Sequence, residues 1–587
     1  MYLQSFYPLC FAFITLFLYL PGGQAQSVAI TGARTGYNGN ARPTRRNVAD
    51  LCADPNKAQY SLFVQALKAM QQAAESSDLS FYGVAGIHGR PYKSWNGVPQ
   101  APGAPLTGYC THDSVLFPDW HRPYLALYEQ IIAGYAQTIA KNYTPSLRTS
   151  FQQAADALRI PYWDWATNSS VPDCVNANTV PIIKSDGTTQ FVANPLQQYR
   201  FQTFPLDPTY FPSKSGQAGD WYLATYRNTV RRPASVGAAS DYNAVNAAMA
   251  AQGLRAATWN SLTKAKTFNG FATYTLGPNS VEAYHGNVHN VVGGNYGHMT
   301  SLSYSAFDPI FWLHHANVDR LFALWEAIYP AQAMTPTVEL GGTYAIPRGQ
   351  INTASTPLTP FASDTQRTYF TSTSSKPLSN FGYTYPEIND WSQTPAQLQA
   401  SVISQVTQLY GAGAVFSKRA PSNPHIRAAG NLREWSASIQ VHKYALQGKR
   451  FIVRCFLGAV PDDASLWATA ESFVGMLSVL PNQAYAGAGP YPEIISYYEI
   501  SLQDGLARAG FDVGADEKVV EQYLKSNLNW RVQLLDDGTT VDNVDTLVVK
   551  VVDEVVTAPK NPHELPQYGK KTPHPGVTRG RAGGFAQ

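Results

Sequence analysis

Charge is scarce in this 587-residue chain: Asp, Glu, Lys and Arg make up 14% of it, against ~25% in an average soluble domain. The formal net charge is +3, and no basic stripe runs along the chain, which argues against a nucleic-acid partner. Cysteine is scarce as well. Of the five, Cys10 lies in an N-terminal apolar run. Cys52, Cys110, Cys174 and Cys455 remain, too few to staple a chain of this length as a disulfide scaffold. Apart from Leu9 to Leu20, no stretch is apolar enough to suggest a membrane span. Aromatic residues, by contrast, are plentiful, with 35 Tyr, 26 Phe and 12 Trp alongside 44 Gly and 40 Pro. That balance fits a loop-rich secreted protein better than a helical cytosolic one.

Organisation follows from punctuation. The run Leu9 to Leu20 is broken by Pro21-Gly22-Gly23 and followed by Ala25, so residues 1–25 read as a cleaved signal peptide and the protein as secreted. A single-pass anchor is the competing reading, but the run is short of the ~20 residues a span needs. Residues 26–390 mix helical patterns with Gly/Pro/Tyr-rich loops. Helices are predicted at 47–74, 119–140, 279–292 and 308–329, together a mainly α core built as a four-helix bundle with long loops. Asp119 and Asp308 are the expected caps, with Pro309 after the second. Thr394-Pro395 opens a further helix, followed by "YGAGAVFSKRAPSNPHIRAAGN", so 391–432 reads as helix and linker. Lys418-Arg419 within it is a candidate processing site. Residues 433–560 read as a smaller β-rich domain, with a hairpin around Gln447-Gly448-Lys449 and another turn at Asp537-Gly538. Residues 561–587 carry no apolar period and read as a disordered tail. Asn142-Tyr-Thr and Asn168-Ser-Ser are glycosylation acceptors in pattern.

The chemistry lies in the histidines. Eight of twelve fall between 88 and 315: His88, His112, His121, His285, His289, His298, His314 and His315. In "VEAYHGNVHNVVGG", His285 and His289 are i and i+4 on one helical face, so both imidazoles reach one metal. Glu282 shares that face. In "YCTHDSVLFPDWHRPYLALYEQ", Pro123 belongs in a first helical turn, which places His121 at the positive helix end, where the neutral imidazole is favoured. His112 comes from the loop before it, and His88 in "GIHGRPY" is the loop candidate for a third ligand. In "FDPIFWLHHANVDRLFALW" periodicity leaves either His314 or His315 facing inward. Two sets of three imidazoles with no carboxylate or thiolate suit copper, zinc or iron.

These four stretches, in this order, resemble the type-3 copper proteins, and fungal tyrosinases most closely. The resemblance runs to "YTYPE" at Tyr383–Glu387, and the β-rich part resembles the shielding domain of fungal pro-tyrosinases. It implies two copper ions, the first held by His88, His112 and His121 and the second by His285, His289 and His315. It implies a Cys110 thioether to His112, Phe311 as an aromatic gate over the substrate, and Glu282 holding a water that accepts the phenol proton. Asp319 is expected to orient a ligand imidazole. The implied reaction uses O2 to hydroxylate monophenols at the ortho carbon and to oxidise o-diphenols to o-quinones, feeding melanin-type pigment. Phenols and a processing protease are the implied partners, with no membrane association after signal cleavage and a latent pro-enzyme as the product of synthesis.

One position departs from the family's pattern. Gly286 follows His285 where many efficient monophenol hydroxylases carry Asn; here the Asn follows the next ligand, as Asn290. A catechol oxidase or o-aminophenol oxidase with weak monophenolase activity is therefore the alternative on the same fold. An oxygen carrier resembling haemocyanin and a zinc hydrolase are the readings from other classes.

Overall fold

The computed structural model describes residues 27–54, 56–411, 432–482, 490–512 and 514–585. The N-terminal apolar run expected to be a signal peptide and the Lys418-Arg419 pair expected to be a processing site lie outside the described residues.

The segment 47–74 forms two helices, α1 (Val48–Ala53) and α2 (Ala58–Gln72). Asp54 precedes a proline and takes the extended conformation, φ −55° and ψ 120°, as the clash with a following proline ring demands. Helix α3 (Phe117–Ala140) begins before the expected cap. Pro118 occupies the opening turn, Asp119 is a first-turn acid rather than a cap, and His121 sits one turn deeper than the sequence suggested. Pro123 stands inside the helix, where its missing N–H leaves one backbone carbonyl unbonded.

Helices α4 (Tyr242–Ala250) and α5 (Leu254–Lys264) lead to α6 (Val281–Gly293) and α7 (Ile310–Ile328). Gly294 ends α6 at φ +61°, where a Cβ would lie 2.7 Å from the Arg232 side chain. Asp308 does cap α7: its Oδ1 accepts from the Ile310 N–H at 3.2 Å and from Arg231 Nη2 at 2.7 Å. Every residue from Ile310 to Trp325 is buried. A helix buried on all sides has no single inward face, which is why the His314/His315 choice was not readable from spacing. Helix α8 (Pro395–Tyr410) carries a reciprocal cap between Thr394 and Gln397 and packs its Val402, Val406 and Tyr410 onto the core. Helices α2 and α7 both pack against α3, and α6 meets α7. A disulfide joins Cys52 to Cys174, 122 residues apart, a loop long enough to be worth about 3–5 kcal/mol.

The C-terminal part is a sandwich of two antiparallel sheets. Its strands are β1 (Leu432–His442), β2 (Phe451–Leu457), β3 (Phe473–Val479), β4 (Ile495–Ser501), β5 (Leu528–Leu534), β6 (Thr540–Val541), β7 (Val548–Thr557), β8 (Gln567–Tyr568) and β9 (Thr572–Pro573). One sheet runs β6-β5-β2-β3 and the other β8-β7-β1-β4, with β9 also on β7. The expected hairpin between β1 and β2 does not form, because the two strands lie in different sheets. Gln447 and Gly448 do turn the chain, at φ +57° and +78°. However, β2 is buried at all seven positions, so it needs a partner on each edge and a layer on each face. The turn residues specify reversal, not pairing.

The tail is likewise not disordered over its described residues. Tyr568 and Thr572 pair with β7, Val577 is buried, and the Val549 N–H donates to the Gly583 carbonyl at 2.7 Å. Its few apolar residues are enough because the edge of β7 supplies the hydrogen bonds.

The sandwich sits on the helical part through buried polar ties. Asn287 of α6 holds β3 like an added strand, donating to the Met476 carbonyl at 2.8 Å and accepting from the Ser478 N–H at 2.9 Å. Lys264 of α5 meets Glu434 and Glu554, each at 2.6 Å. These carboxylates sit opposite one another on β1 and β7.

Candidate metal centre

Helix α6 places His285 above His289, and backbone carbonyls set both rings. His285 Nδ1 lies 3.2 Å from the Glu282 carbonyl, and His289 Nδ1 lies 2.8 Å from the Met299 carbonyl. A ring that donates from Nδ1 keeps its lone pair on Nε2. Both Nε2 atoms point at His315 Nε2 of α7, at 3.3 and 3.2 Å. His314 belongs to the same cluster, but its Nδ1 accepts from the Trp165 indole N–H at 3.1 Å. A neutral ring accepting at Nδ1 carries its proton on Nε2 and offers no lone pair there.

The second group draws on three separate segments. His121 of α3 is set by the Phe117 carbonyl at 2.7 Å, and His88 by the Leu302 carbonyl at 3.0 Å. His112 has its Nδ1 3.3 Å from Cys110 Sγ. The Nε2 atoms of all three are buried without a hydrogen-bond partner. The two groups abut, with the His121 and His315 rings stacked 4.5 Å apart. Burial pushes His121 down to about 3 and His289 to about 4, and lowers His88, His112, His285 and His315 well below the usual range. Burial favours the neutral form of all six, the form that ligation requires. Separations of 3.2–3.3 Å match the edge of a tetrahedron with metal–nitrogen bonds of ~2.0 Å. The donor sets fit a pair of metal ions: convergent buried lone pairs, with five of the six rings fixed from behind by a carbonyl or by sulfur and His315 held by its place on α7.

Phe311 is fully buried, its ring 4.1 Å from His315, 4.9 Å from His88 and 5.9 Å from His289. One turn before His315 on an inward helix, it shares that residue's burial and packs between the groups. Asp319 does not orient an imidazole. Its oxygens are taken up by Arg122 at 2.7 Å, Arg45 at 3.1 Å and the Tyr383 and Tyr385 hydroxyls at 2.6 Å each. It locks the Tyr383-Thr384-Tyr385 segment against α3 and α7. His298 accepts the Val230 N–H at 3.0 Å and is structural.

Glu282 lies between the groups and the loop of His112. Its Oε1 accepts the Asp113 N–H at 2.7 Å, while Oε2 is buried without a partner. Burial and the neighbouring Asp113 carboxylate push it up to about 8. Lys443, buried just after β1, reaches Asp113 at 2.6 and 2.8 Å and the Tyr274 hydroxyl at 2.9 Å. The sequence offered no signal for this pairing across 330 residues.

The cavity at Glu282 is lined by His112, His285, Gly286 and Leu302, and by Lys443, Ser478 and Leu480 of the sandwich. Its volume is about 20 Å³, room for one water. A Cβ on Gly286 would meet nothing within 4 Å. Asn290 is buried with its amide nitrogen unpartnered and does not line this cavity.

Comparison with known proteins agrees with this geometry. Residues 78–328 match the common central domain of tyrosinase, and residues 434–551 the tyrosinase C-terminal domain. The tyrosinase of Podospora anserina is 34% identical over 526 residues, covering 77% of this chain and 89% of the relative. That of Neurospora crassa is 34% identical over 518 residues, covering 80% and 74%. Among solved structures, mushroom tyrosinase, crystallised with latent and active forms together, superposes with a TM-score of 0.79 at 27% identity, covering 93% of this chain and 98% of that one. A holo-pro-tyrosinase of Aspergillus oryzae shares the fold at a TM-score of 0.72 and 22% identity. With a catalytic core and a C-terminal domain both matched and two histidine groups suited to a copper pair, this chain belongs to the tyrosinase family and is a phenol-oxidising enzyme of that kind.

Proposed function

We propose that His88, His112 and His121 hold one copper ion, that His285, His289 and His315 hold the other, and that the chain is made as a latent tyrosinase. The observation that carries the assignment is the convergence of six buried Nε2 atoms whose Nδ1 side, in five of the six rings, faces a carbonyl or Cys110. When bound, the copper pair supplies the activation of O2. The four helices α2, α3, α6 and α7 are the bundle frame that fixes the ligands. The reaction balances as monophenol plus O2 to o-quinone plus water, and o-diphenol plus half an O2 to o-quinone plus water.

The chain's own residues supply the rest. Phe311 keeps water from between the ring groups. Glu282, buried and held up to about 8, orients the single water for which the cavity has room and takes the phenol proton through it. Cys110 Sγ, 3.3 Å from the His112 ring, is placed to fix that ring covalently. Asn290 has no assigned role. Domains follow as a signal peptide at 1–25, a catalytic part at 26–390, helix and linker at 391–432 and a covering sandwich at 433–560. The segment 561–587 belongs with the sandwich over its described residues. Secretion and processing by a protease complete the reading. No described helix is long and apolar enough to cross a membrane.

Latency rests on the closed cavity. At about 20 Å³, walled by Lys443, Ser478 and Leu480, it excludes a phenol ring. Among the described residues Leu480 is the apolar side chain that the sandwich sets over Gly286. Lys443→Met removes one partner of a buried ion pair, a change that costs about 3–5 kcal/mol. It is expected to give the uncut chain activity without proteolysis; an uncut variant as silent as the parent would exclude Lys443 as a tie.

Gly286 decides the balance of activities. A Cβ at 286 meets nothing within 4 Å, and once the clipped enzyme has lost Ser478 and Leu480 from the cavity wall, Gly286→Asn brings an amide near the Glu282 water. The ratio of monophenol to diphenol turnover by the clipped enzyme is expected to rise about tenfold, roughly the 1.4 kcal/mol of one well-placed hydrogen bond. An unchanged ratio removes Gly286 from the account. The reading as a whole is tested by metal analysis and oxygen uptake on clipped protein: two coppers per chain and uptake with both phenol classes are expected. Uptake with the diphenol alone would assign a catechol oxidase instead.

A further inference from the structure

Two arginines face one cavity at the seam between the helical part and the sandwich. Arg454 of β2 is buried; its Nη1 donates to Gln533 Oε1 at 2.6 Å, and its Nε has no hydrogen-bond partner. Arg232, half-buried, donates from Nη1 to the Val291 carbonyl at 3.1 Å, near the end of α6. Both line a cavity of about 440 Å³, with Ala248 of α4 and Gly294 on the helical side and Ser465 and Gln533 on the sandwich side. Burial, with the Arg232 charge added, pushes Arg454 down to about 9.

The acid on this wall is Asp241. Its Oδ1 is engaged by the Ala244 N–H at 2.9 Å as the cap of α4, and its charge supports Arg232 rather than Arg454. A buried cation without a counter-ion is costly. The guanidinium fork matches the oxygens of phosphate-type anions in a way a neutral ligand cannot satisfy, and the Ser465 hydroxyl adds a donor on the sandwich side.

We propose that this cavity binds a small oxyanion of the phosphate class between Arg454 and Arg232, tying the sandwich to the helical part. The site touches none of the histidines and does not depend on the copper assignment.

The test uses the full-length chain and inorganic phosphate as the probe. Thermal unfolding is compared in phosphate and in chloride at matched pH and ionic strength, with calorimetric titration alongside. Phosphate is expected to raise the midpoint by roughly 3 °C near saturation and to titrate at one site per chain. Arg454→Met, which removes the unpaired cation, is expected to melt no lower than the parent and to lose the phosphate response. An equal response to both salts, no titration heat, or a response retained in Arg454→Met would overturn the site. Arg454→Lys keeps the charge without the fork and covers the case in which the methionine variant fails to fold. At least tenfold weaker phosphate binding is expected there, and unchanged affinity would also overturn the proposal.

Discussion

Cutting the chain within 412–431 and removing the sandwich is expected to raise diphenol oxidation on the order of 100-fold. If the covered state lies ~3 kcal/mol below the open one, about 1% of uncut molecules are competent at any moment, and the apparent rate falls accordingly. The ties between the sandwich and the helical part are of that order. Lys264 is buried against Glu434 and Glu554, Lys443 against Asp113, and Asn287 is bonded twice to β3. The first two are pairs whose rupture leaves unpaired buried charge, costly at about 3–5 kcal/mol each. Cutting alone therefore does not undo the contact surface, and the rise should follow loss of the sandwich rather than scission itself. Oxygen uptake timed against the appearance of the released fragment separates the two. Equal activity of intact and trimmed protein would mean that the closed cavity is not what limits the enzyme.

His315→Ala is expected to lower bound copper from two ions towards one and to cut phenol oxidation by at least about 1,000-fold, whereas His314→Gln should keep two. The two histidines differ in tautomer. His315 Nε2 faces the lone pairs of His285 and His289 at 3.3 and 3.2 Å, while His314 accepts the Trp165 N–H at its Nδ1. A three-ligand site reduced to two loses the geometry that holds the ion, and a centre needing both metals loses its reaction. A glutamine at 314 retains an acceptor for Trp165, so its cost falls on stability. The measurement is copper content by elemental analysis on folded protein, checked by the thermal midpoint of each variant. Loss of copper in His314→Gln with retention in His315→Ala would reverse the assignment.

The motifs on α6 were legible because helical spacing converts directly into distance: residues four apart share a face, and His285 and His289 do converge. The cap at Asp308 and the helix start at Thr394-Pro395 were legible for the same reason, since a helix start is decided by the residues around it. Helix α3 was misplaced by two residues because Pro118 and Pro123 are both compatible with an opening turn, and only packing of the buried Phe117 settles which one opens it.

By itself the sequence determined the helical core, the β-rich C-terminal part, the two histidine sets and the kinship with fungal tyrosinases. Local periodicity, caps and ordered motifs carry that information within a few turns of chain. Tertiary structure alone decided the rest. It split β1 and β2 between two sheets, seated the tail on β7 and paired Cys52 with Cys174. It also buried Phe311 among the rings, gave Asp319 to two arginines and two tyrosines, and set Lys443 and Leu480 over the metal centre. The physical reason is common to all of these. Each is a contact between residues far apart in the chain, chosen by which surfaces remain to be buried and which polar groups remain to be paired once the local elements exist.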